Sequence, residues 1–557
     1  MKKFNKYYVS GLLASLSLAA QAAVLPGTDP AAVQRLDQDR LDRYQQEENL
    51  QKAVPITPVI TLPEQESATK GASDVKNITV SRFDVDHSDL ISDDEIKLVL
   101  TPYQGRDVSL KELFEAVAKL NQLYDAKNIK TARAILPPQE IKDGIVKIQL
   151  IEARLGGINI TGSKSVRSDF VADRIHMKSG DLISVSQLEN DLIRFNALYE
   201  PKLRADVRAG AEVGKTDITI EVQEPEKYHL TTFADNAGRN TVGEGRVGAI
   251  YKVNNMLGVN DSIQVVATGT TGSKSYGFSY SIPVSRNDMR LDVSYNYGKI
   301  KVVNGPFVPL DITGNSRDLT VGLTQPFSVG VNRQWAAYSR LSSRNSISRF
   351  SGFIQQDLGL EVIAFGLSGE AHYDTYAWSL DNNLNFGTKS LGGDERFSYY
   401  RANASRVDRL TDRLQLLTKA GLQYSFSQVI PSGEQFQVGG LYSVRGFSEG
   451  LLSGRNGYFA SIELRGALNA PLQGSLTGFP PLVQALIFLD HGAALPYRPG
   501  QSITKNDYLT GAGVGLMMDF GSRISTRLTF AYPLDNNPNE LQQRSPRILA
   551  GVNVSWF

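Results

Sequence analysis

At 557 residues the chain is long enough for several domains, and its formal net charge of +1 gives no bulk electrostatic case for nucleic acid as a partner. It has no cysteine, which excludes disulfides, thiol catalysis and cysteine metal sites. The histidines, at 87, 176, 229, 372 and 491, are scattered, so no metal and no cofactor is expected.

The chain starts with Lys2, Lys3 and Lys6, an apolar run from Gly11 to Ala20 and the small-residue pattern Ala20-Gln-Ala22. This predicts a secretory signal peptide over residues 1–22. The apolar run is about half of the ~20 residues a membrane helix needs. No later stretch is apolar enough, so the chain is expected to be exported without a transmembrane helix. Within 23–52, residues 30–52 (PAAVQRLDQDRLDRYQQEENLQK) predict a helix, with Asp29 as cap and Pro30 at the first helical position. Its charges lie all round and its apolar stripe is thin, which suits solvent or a polar cavity. Prolines 55, 58 and 63 make 53–75 an extended linker.

From about 76 the pattern repeats. Gly105, Ser109, Leu113 and Asn121-x-Leu-Tyr124 recur 75 positions later as Gly180, Ser184, Leu188 and Asn196-x-Leu-Tyr199. Each serine is placed to cap a helix, with apolar residues at 113, 117, 120, 124 and at 188, 192, 195, 199. Each copy ends in an alternating strand, VKIQLIEA at 146–153 and ITIEVQEP at 218–225. The duplication predicts two small α+β modules, 76–154 and 155–225, each a strand, two helices and two strands.

After Pro225 helical periodicity gives way to strict alternation in segments of about ten residues. Leu291, Val293, Tyr295 and Tyr297 share one face, while Arg290, Asp292, Ser294 and Asn296 share the other. Tyr276, Phe278, Tyr280 and Ile282 repeat the pattern, as do Leu414, Leu416, Leu422, Tyr424 and Phe426. A soluble sandwich would also alternate, but its strands are shorter, and here aromatics gather near strand ends. Exported dyad strands with alternating short and long connections predict an outer-membrane β-barrel over 226–557, in contact with lipid. At roughly 20 residues per strand and connection this gives ~16 antiparallel strands. A barrel of that size encloses a wet lumen unless something plugs it.

Two motifs suggest chemistry and are rejected. Gly446-Phe-Ser448-Glu-Gly450 has the spacing of a hydrolase nucleophile elbow, and Asp490 and His491 follow in the right order. No helix follows Gly450, and neighbours in a strand face opposite sides, so Asp490 cannot orient His491. A hydrolase using Ser448 stays a remote alternative, and no enzyme is expected. Gly210-Ala-Glu-Val-Gly214-Lys-Thr216 is one residue short of a phosphate-binding loop and reads as a turn. Asp490 is more informative. In 483–490, Val483, Ala485, Ile487 and Leu489 face lipid, which puts Gln484, Phe488 and Asp490 on the lumen wall. Alternation alone favours a solvated acidic residue there. The other reading pairs it with an internal cation, for which Arg445 is a candidate because its glycine-bearing loop could fold inward.

Two repeats, a C-terminal barrel, Val444-Arg445-Gly446-Phe447 in a late loop, and Phe488-Leu-Asp490-His-Gly492 in the next strand resemble the Omp85 superfamily. Further matches are Asp235-Asn236-x-Gly238, Thr241-x-Gly243 and Asn254-Asn255-Met-Leu-Gly258 with Asp261. Two repeats (POTRA domains) behind a helix and a proline-containing linker resemble the two-partner secretion transporters, the TpsB family, of the haemolysin, adhesin or contact-dependent-inhibition type. The resemblance implies a monomeric transporter in the bacterial outer membrane with periplasmic POTRA domains. These would receive a large, unfolded TpsA-type partner, and the barrel would pass it to the cell surface; the length and polar surface of helix 30–52 suit a wet lumen and predict that it plugs the barrel at rest. The resemblance also implies that Arg445 pairs with Asp490. An outer-membrane assembly factor is the alternative, although such factors usually carry more repeats and no plug. One departure is Phe557, which alternation places opposite the apolar face of Ile548, Val552, Val554 and Trp556.

Overall fold

The computed structural model describes residues 28–52, 59–61, 78–127, 129, 131–210, 212, 215–469, 482–498, 500, 502–540 and 545–557. The signal peptide expected over 1–22 and most of the linker lie outside them. Among the described residues no helix is long and apolar enough to cross a membrane. The chain forms two compact units, one holding the repeats and the other the helix at 30–52 together with all the strands after Pro225.

The helix, α1, runs Pro30–Lys52, started by Asp29, whose carboxylate accepts the Ala31 N–H at 2.9 Å. The short strand β1 (Ile60–Thr61) follows it. The first repeat comprises β2 (Ile78–Val80), β3 (Arg82–Val85), α2 (Asp93–Leu100), β4 (Arg106–Val108), α3 (Leu110–Ala126), β5 (Ala132–Ile135) and β6 (Ile145–Glu152). The second comprises β7 (Arg154–Thr161), α4 (Ser168–Ala172), α5 (Val185–Leu198), β8 (Lys202–Ala209) and β9 (Lys215–Gln223).

The duplication holds at the level of topology. In the first repeat β3 runs parallel to β6 and β5 antiparallel to it; in the second β7 runs parallel to β9 and β8 antiparallel to it. Ser109 and Ser184 are both N-caps, each accepting a backbone N–H from three residues on at 3.2 Å. Leu113, Val117, Leu120 and Tyr124 are buried in one core, and Leu188, Leu192, Phe195 and Tyr199 in the other. Gly105 and Gly180 recur because both backbones lie in the left-handed region, at φ 75° and 92°. Gly210 opens the β8–β9 hairpin, its N–H donating to the Lys215 carbonyl at 2.9 Å, so this segment does not lead into a helix.

β1 is an added strand. It pairs parallel to the outer edge of β8, with Ile60 opposite Ala205 and Thr61 opposite Asp206. The Ala205 N–H donates to the Val59 carbonyl at 3.0 Å, and Ile60 packs on the core of the second repeat.

The second unit is a closed antiparallel barrel. Its first strands are β10 (Tyr228–Asp235), β11 (Arg246–Asn254), β12 (Ser262–Gly269), β13 (Ser273–Pro283), β14 (Arg290–Lys301) and β15 (Ile312–Val329). Next come β16 (Arg333–Phe350), β17 (Phe353–His372), β18 (Tyr376–Gly387), β19 (Phe397–Arg409) and β20 (Leu414–Ser425). Two short strands, β21 (Phe436–Val438) and β22 (Leu452–Gly454), pair with each other inside the loop 426–455. The wall resumes with β23 (Asn456–Ala467), β24 (Leu482–Leu495), β25 (Tyr508–Phe520), β26 (Ile524–Pro533) and β27 (Arg547–Ser555). The ring of β10–β20 and β23–β27 closes by pairing β27 with β10. Outward positions such as Tyr276, Phe278, Tyr295, Phe365, Ile487 and Leu489 are exposed, as a lipid-facing band requires. β15, β16 and β17 are the longest strands, at 18, 18 and 20 residues, and Ser351-Gly352 joins the last two.

The seam explains Phe557. The Leu230 N–H donates to the Phe557 carbonyl at 3.1 Å, while the Leu230 carbonyl accepts the Trp556 N–H at 2.9 Å. One residue facing two is a bulge pattern, which resets the alternation, and both terminal rings are exposed.

Candidate functional site

A helix that touches strands all round a closed ring can lie only inside it, and α1 does so. Asp37 faces Arg246 of β11 at 3.7 Å, and Ser316 of β15 donates to the Pro30 carbonyl at 3.3 Å. Gln46 donates to Ser379 of β18 at 2.7 Å, Asp39 faces Arg401 of β19 at 3.5 Å, and Glu47 faces Lys419 of β20 at 3.4 Å. The polarity of the helix follows, since most of its surface meets a polar inner wall, while its thin apolar stripe sets Val33 against Val242 and Ile300. Small residues let it approach: a Cβ at Gly314 would lie 2.8 Å from the Pro30 ring, and one at Gly433 would lie 2.8 Å from the Ala31 side chain.

The loop 426–455 also folds into the ring. Val444 and Phe447 are buried with Phe436, Val438, Phe459 and Leu509, which anchors the loop on β23, β24 and β25. Gly446, at φ 97°, makes the turn behind Arg445, where a Cβ would lie 3.0 Å from the Pro533 backbone nitrogen.

Arg445 is 1% exposed, and it meets Asp490 and Glu463, both at 0%. Its Nε and Nη2 donate to Asp490 at 2.7 and 2.8 Å, a bidentate fork, and its backbone N–H adds a third bond to the same carboxylate at 3.0 Å. Nη1 donates to Glu463, and Nη2 reaches Ser461 Oγ at 3.3 Å. The guanidinium also stacks over the Phe488 ring, 3.5 Å from its centroid. Gly492 keeps the wall open for the loop, because a Cβ there would sit 2.9 Å from Val438. Asp490 is therefore not a solvated wall residue.

Sequence reasoning missed several members of this site. Glu463 is its hub, also accepting from Arg465 at 2.6 Å and Arg527 at 2.9 Å. The alternation of Ser461, Glu463 and Arg465 along β23 carried that signal, since three polar residues two apart mark one wet face. Gly511 and Gly513 of β25 make room: a Cβ at the first would lie 1.9 Å from the Arg445 carbonyl oxygen, and at the second 2.7 Å from Phe488. Those glycines carry no local signature.

The charges continue into α1. Arg465 also donates to Glu47, and Arg40 and Arg43 hold the loop on both sides of Arg445, pairing with Glu449 at 2.9 Å and bonding the Tyr442 carbonyl at 3.1 Å. The hydrolase order of Ser448, Asp490 and His491 does not assemble. Ser448 Oγ donates to Glu540 at 2.8 Å, and His491 points outward to Tyr458 and Thr510 at 3.1 and 3.0 Å.

Comparison with known proteins places this geometry. Residues 214–518 match the family described as haemolysin secretion/activation protein ShlB/FhaC/HecB, and residues 78–153 match the ShlB-type POTRA domain. Among curated relatives, the heme/hemopexin transporter protein HuxB of Haemophilus influenzae is 24% identical over 475 residues, covering 80% of this chain and 81% of its own. The outer membrane transporter CdiB of Escherichia coli O6:K15:H31 is 24% identical over 553 residues, covering 94% and 89%. In fold, the chain resembles solved structures of CdiB from Escherichia coli (TM-score 0.66, 20% identity, 96% of this chain and 100% of that one) and from Acinetobacter baumannii (TM-score 0.63, 19%, 94% and 99%). The chain belongs to the ShlB/FhaC/HecB family of haemolysin secretion/activation proteins, the outer-membrane transporters that secrete a partner protein in two-partner secretion.

Proposed function

We propose that this transporter works as a monomer that rests closed, with α1 as its plug, and opens by releasing α1 toward the periplasm so that an extended TpsA-type client can pass. The observation that carries this reading is the helix itself. Its 23 residues span about 35 Å at ~1.5 Å each, comparable to the ~30 Å hydrocarbon thickness, and it makes ion pairs and hydrogen bonds to wall strands from β11 to β23. A helix held by ion pairs and hydrogen bonds, with few apolar contacts, can exchange those partners for water when it leaves. The Arg445–Asp490–Glu463 clamp fixes the inward loop beside it.

β1 supports a recognition step linked to that release. A small sheet edge can add an extended client as a further strand through backbone hydrogen bonds, which tolerates varied sequence. At rest the β8 edge already carries Val59–Thr61, which continues from α1 through the linker. Client and linker then compete for one edge, so client arrival would favour departure of the linker and the helix attached to it.

Deleting residues 30–52 tests the plug. Conductance in planar bilayers rises well above that of the full chain, whereas an unchanged conductance removes the reading.

A further inference from the structure

The clamp and the plug share one buried charge system, and its composition has a consequence for the open pore. On the wall stand Lys419 of β20, Arg465 of β23, Arg527 of β26 and Arg445 from the loop. Against them stand Glu463 and Asp490 of the wall and Glu47 of α1. Four cations thus face three carboxylates while the helix is in place, and two once it has left.

The deficit is local. Asp490 stays on Arg445, and Glu463 keeps Arg445, Arg465 and Arg527. What departs is the carboxylate that Arg465 Nη2 and Lys419 Nζ share, Glu47 accepting at 2.5 and 3.4 Å. Arg465 is 1% exposed and Glu47 9%, so this contact is buried. The Lys419 ammonium loses its ion-pair partner among the described residues, and a partly desolvated cation left so is costly unless another anion arrives.

We infer that Lys419 and Arg465 form a carboxylate-binding site on the pore wall, occupied by Glu47 at rest and by acidic side chains of the passing polypeptide when α1 is out. This rests on the plug reading. The site is a point of exchange: the resting occupant belongs to the plug, and the transient ones belong to the client or, for a free anion, to the solvent. Two cations on adjacent antiparallel strands present a lysine point charge beside a planar guanidinium, and both bind carboxylates. Weak, repeated capture by such a pair suits passage, because a client must bind enough to enter and release easily enough to move on.

The test uses the full chain carrying Glu47→Gln, which empties the site without deleting the helix, in planar bilayers. Open events become about tenfold more frequent than in the parent chain, the equivalent of ~1.4 kcal/mol. In a potassium chloride gradient their reversal potential lies toward the anion side, and adding Lys419→Gln moves it back. Oligo-glutamate lengthens blocked intervals relative to oligo-glutamine, and Lys419→Gln removes the difference. An anion preference without a longer oligo-glutamate block assigns the site to inorganic anions and overturns the client part. Open frequency unchanged by Glu47→Gln, or a reversal potential indifferent to Lys419→Gln, overturns the site itself. If deleting 30–52 leaves conductance unchanged, the plug reading fails on its own account, so the two failures are distinguishable. A heat-modifiable gel shift checks that every variant keeps its barrel.

Discussion

Arg445 spends its donors on two carboxylates at once, with a fork to Asp490 and a separate bond to Glu463. Lysine keeps the charge but has no planar fork, so Arg445→Lys cannot serve both. Glu463 retains Arg465 and Arg527, whereas Asp490 loses the guanidinium fork and keeps only the backbone N–H of residue 445. Breaking a buried pair costs about 3–5 kcal/mol, so Arg445→Lys is expected to lower the amount of partner protein in the medium at least about tenfold. The heat-resistant barrel should persist, because the ring closes through pairing of its wall strands with one another. Gly511→Ala gives a matching steric test. Its Cβ would meet the Arg445 carbonyl oxygen at 1.9 Å, so the loop has to move, and protease sensitivity of residues 426–455 rises on intact cells. At this scale the sequence was partly legible. Alternation in β24 put Asp490 on the lumen side, because side-chain direction in a strand is a local property. Where Arg445 points is not local, since a loop's direction depends on what it packs against, and the glycines that admit it lie on a strand far along the chain.

Single elements were the easiest to read, because caps and periodicity act within a few residues. The two repeats show it. Ser92 with Glu95, and Ser109 with Glu112, form reciprocal capping boxes at the starts of α2 and α3. The Glu95 carboxyl is held down at about 2 by its bond from Lys127 and by the Ser92 cap. The Ser109 backbone N–H, with Arg106, holds Glu112 down at about 2. Both folded values lie below the ordinary 4.5, so the stabilisation is complete above about pH 4.5 and is lost as pH falls toward 2. Hydrogen exchange over 93–100 and 110–126, corrected for intrinsic rates, should therefore accelerate in that window. Glu112→Gln flattens the effect at 110–126 and leaves 93–100 unchanged. Equal behaviour of both helices in the variant would show that the boxes do not set their acid stability. The seam was harder to read. The bulge at Leu230 is made by the backbones of the first and last strands of the barrel, more than 300 residues apart, and neither sequence alone announces it.

For the whole molecule, residue arithmetic gave the size of the barrel because lipid thickness fixes strand length. What fills the ring was legible as a polar helix with a thin apolar stripe and a length near the hydrocarbon thickness, but its wall partners were not, since they come from strands hundreds of residues away. The linker edge was not visible at all, since two residues of β1 carry too little pattern to mark a strand. Its role can be tested cleanly because the chain has no cysteine of its own. With Ile60→Cys and Ala205→Cys, oxidation pins β1 to β8, and secretion is expected to stop under oxidising conditions and return on adding reductant. Secretion that continues with the bond formed would show that the linker need not leave this edge.

The length of β15, β16 and β17 has a practical consequence. A spanning strand needs only about 9–11 residues, and these have 18 to 20. β16 and β17 pair with each other as far as Phe350 and Phe353 and turn at Ser351-Gly352, with Phe353 four-fifths exposed. β10 starts from the periplasmic side and β16, the seventh wall strand, runs outward, so this turn lies on the cell-surface side, within reach of antibodies and phages. An epitope tag inserted there would make living cells countable by the transporters they display, at a point remote from the buried charges that govern the lumen.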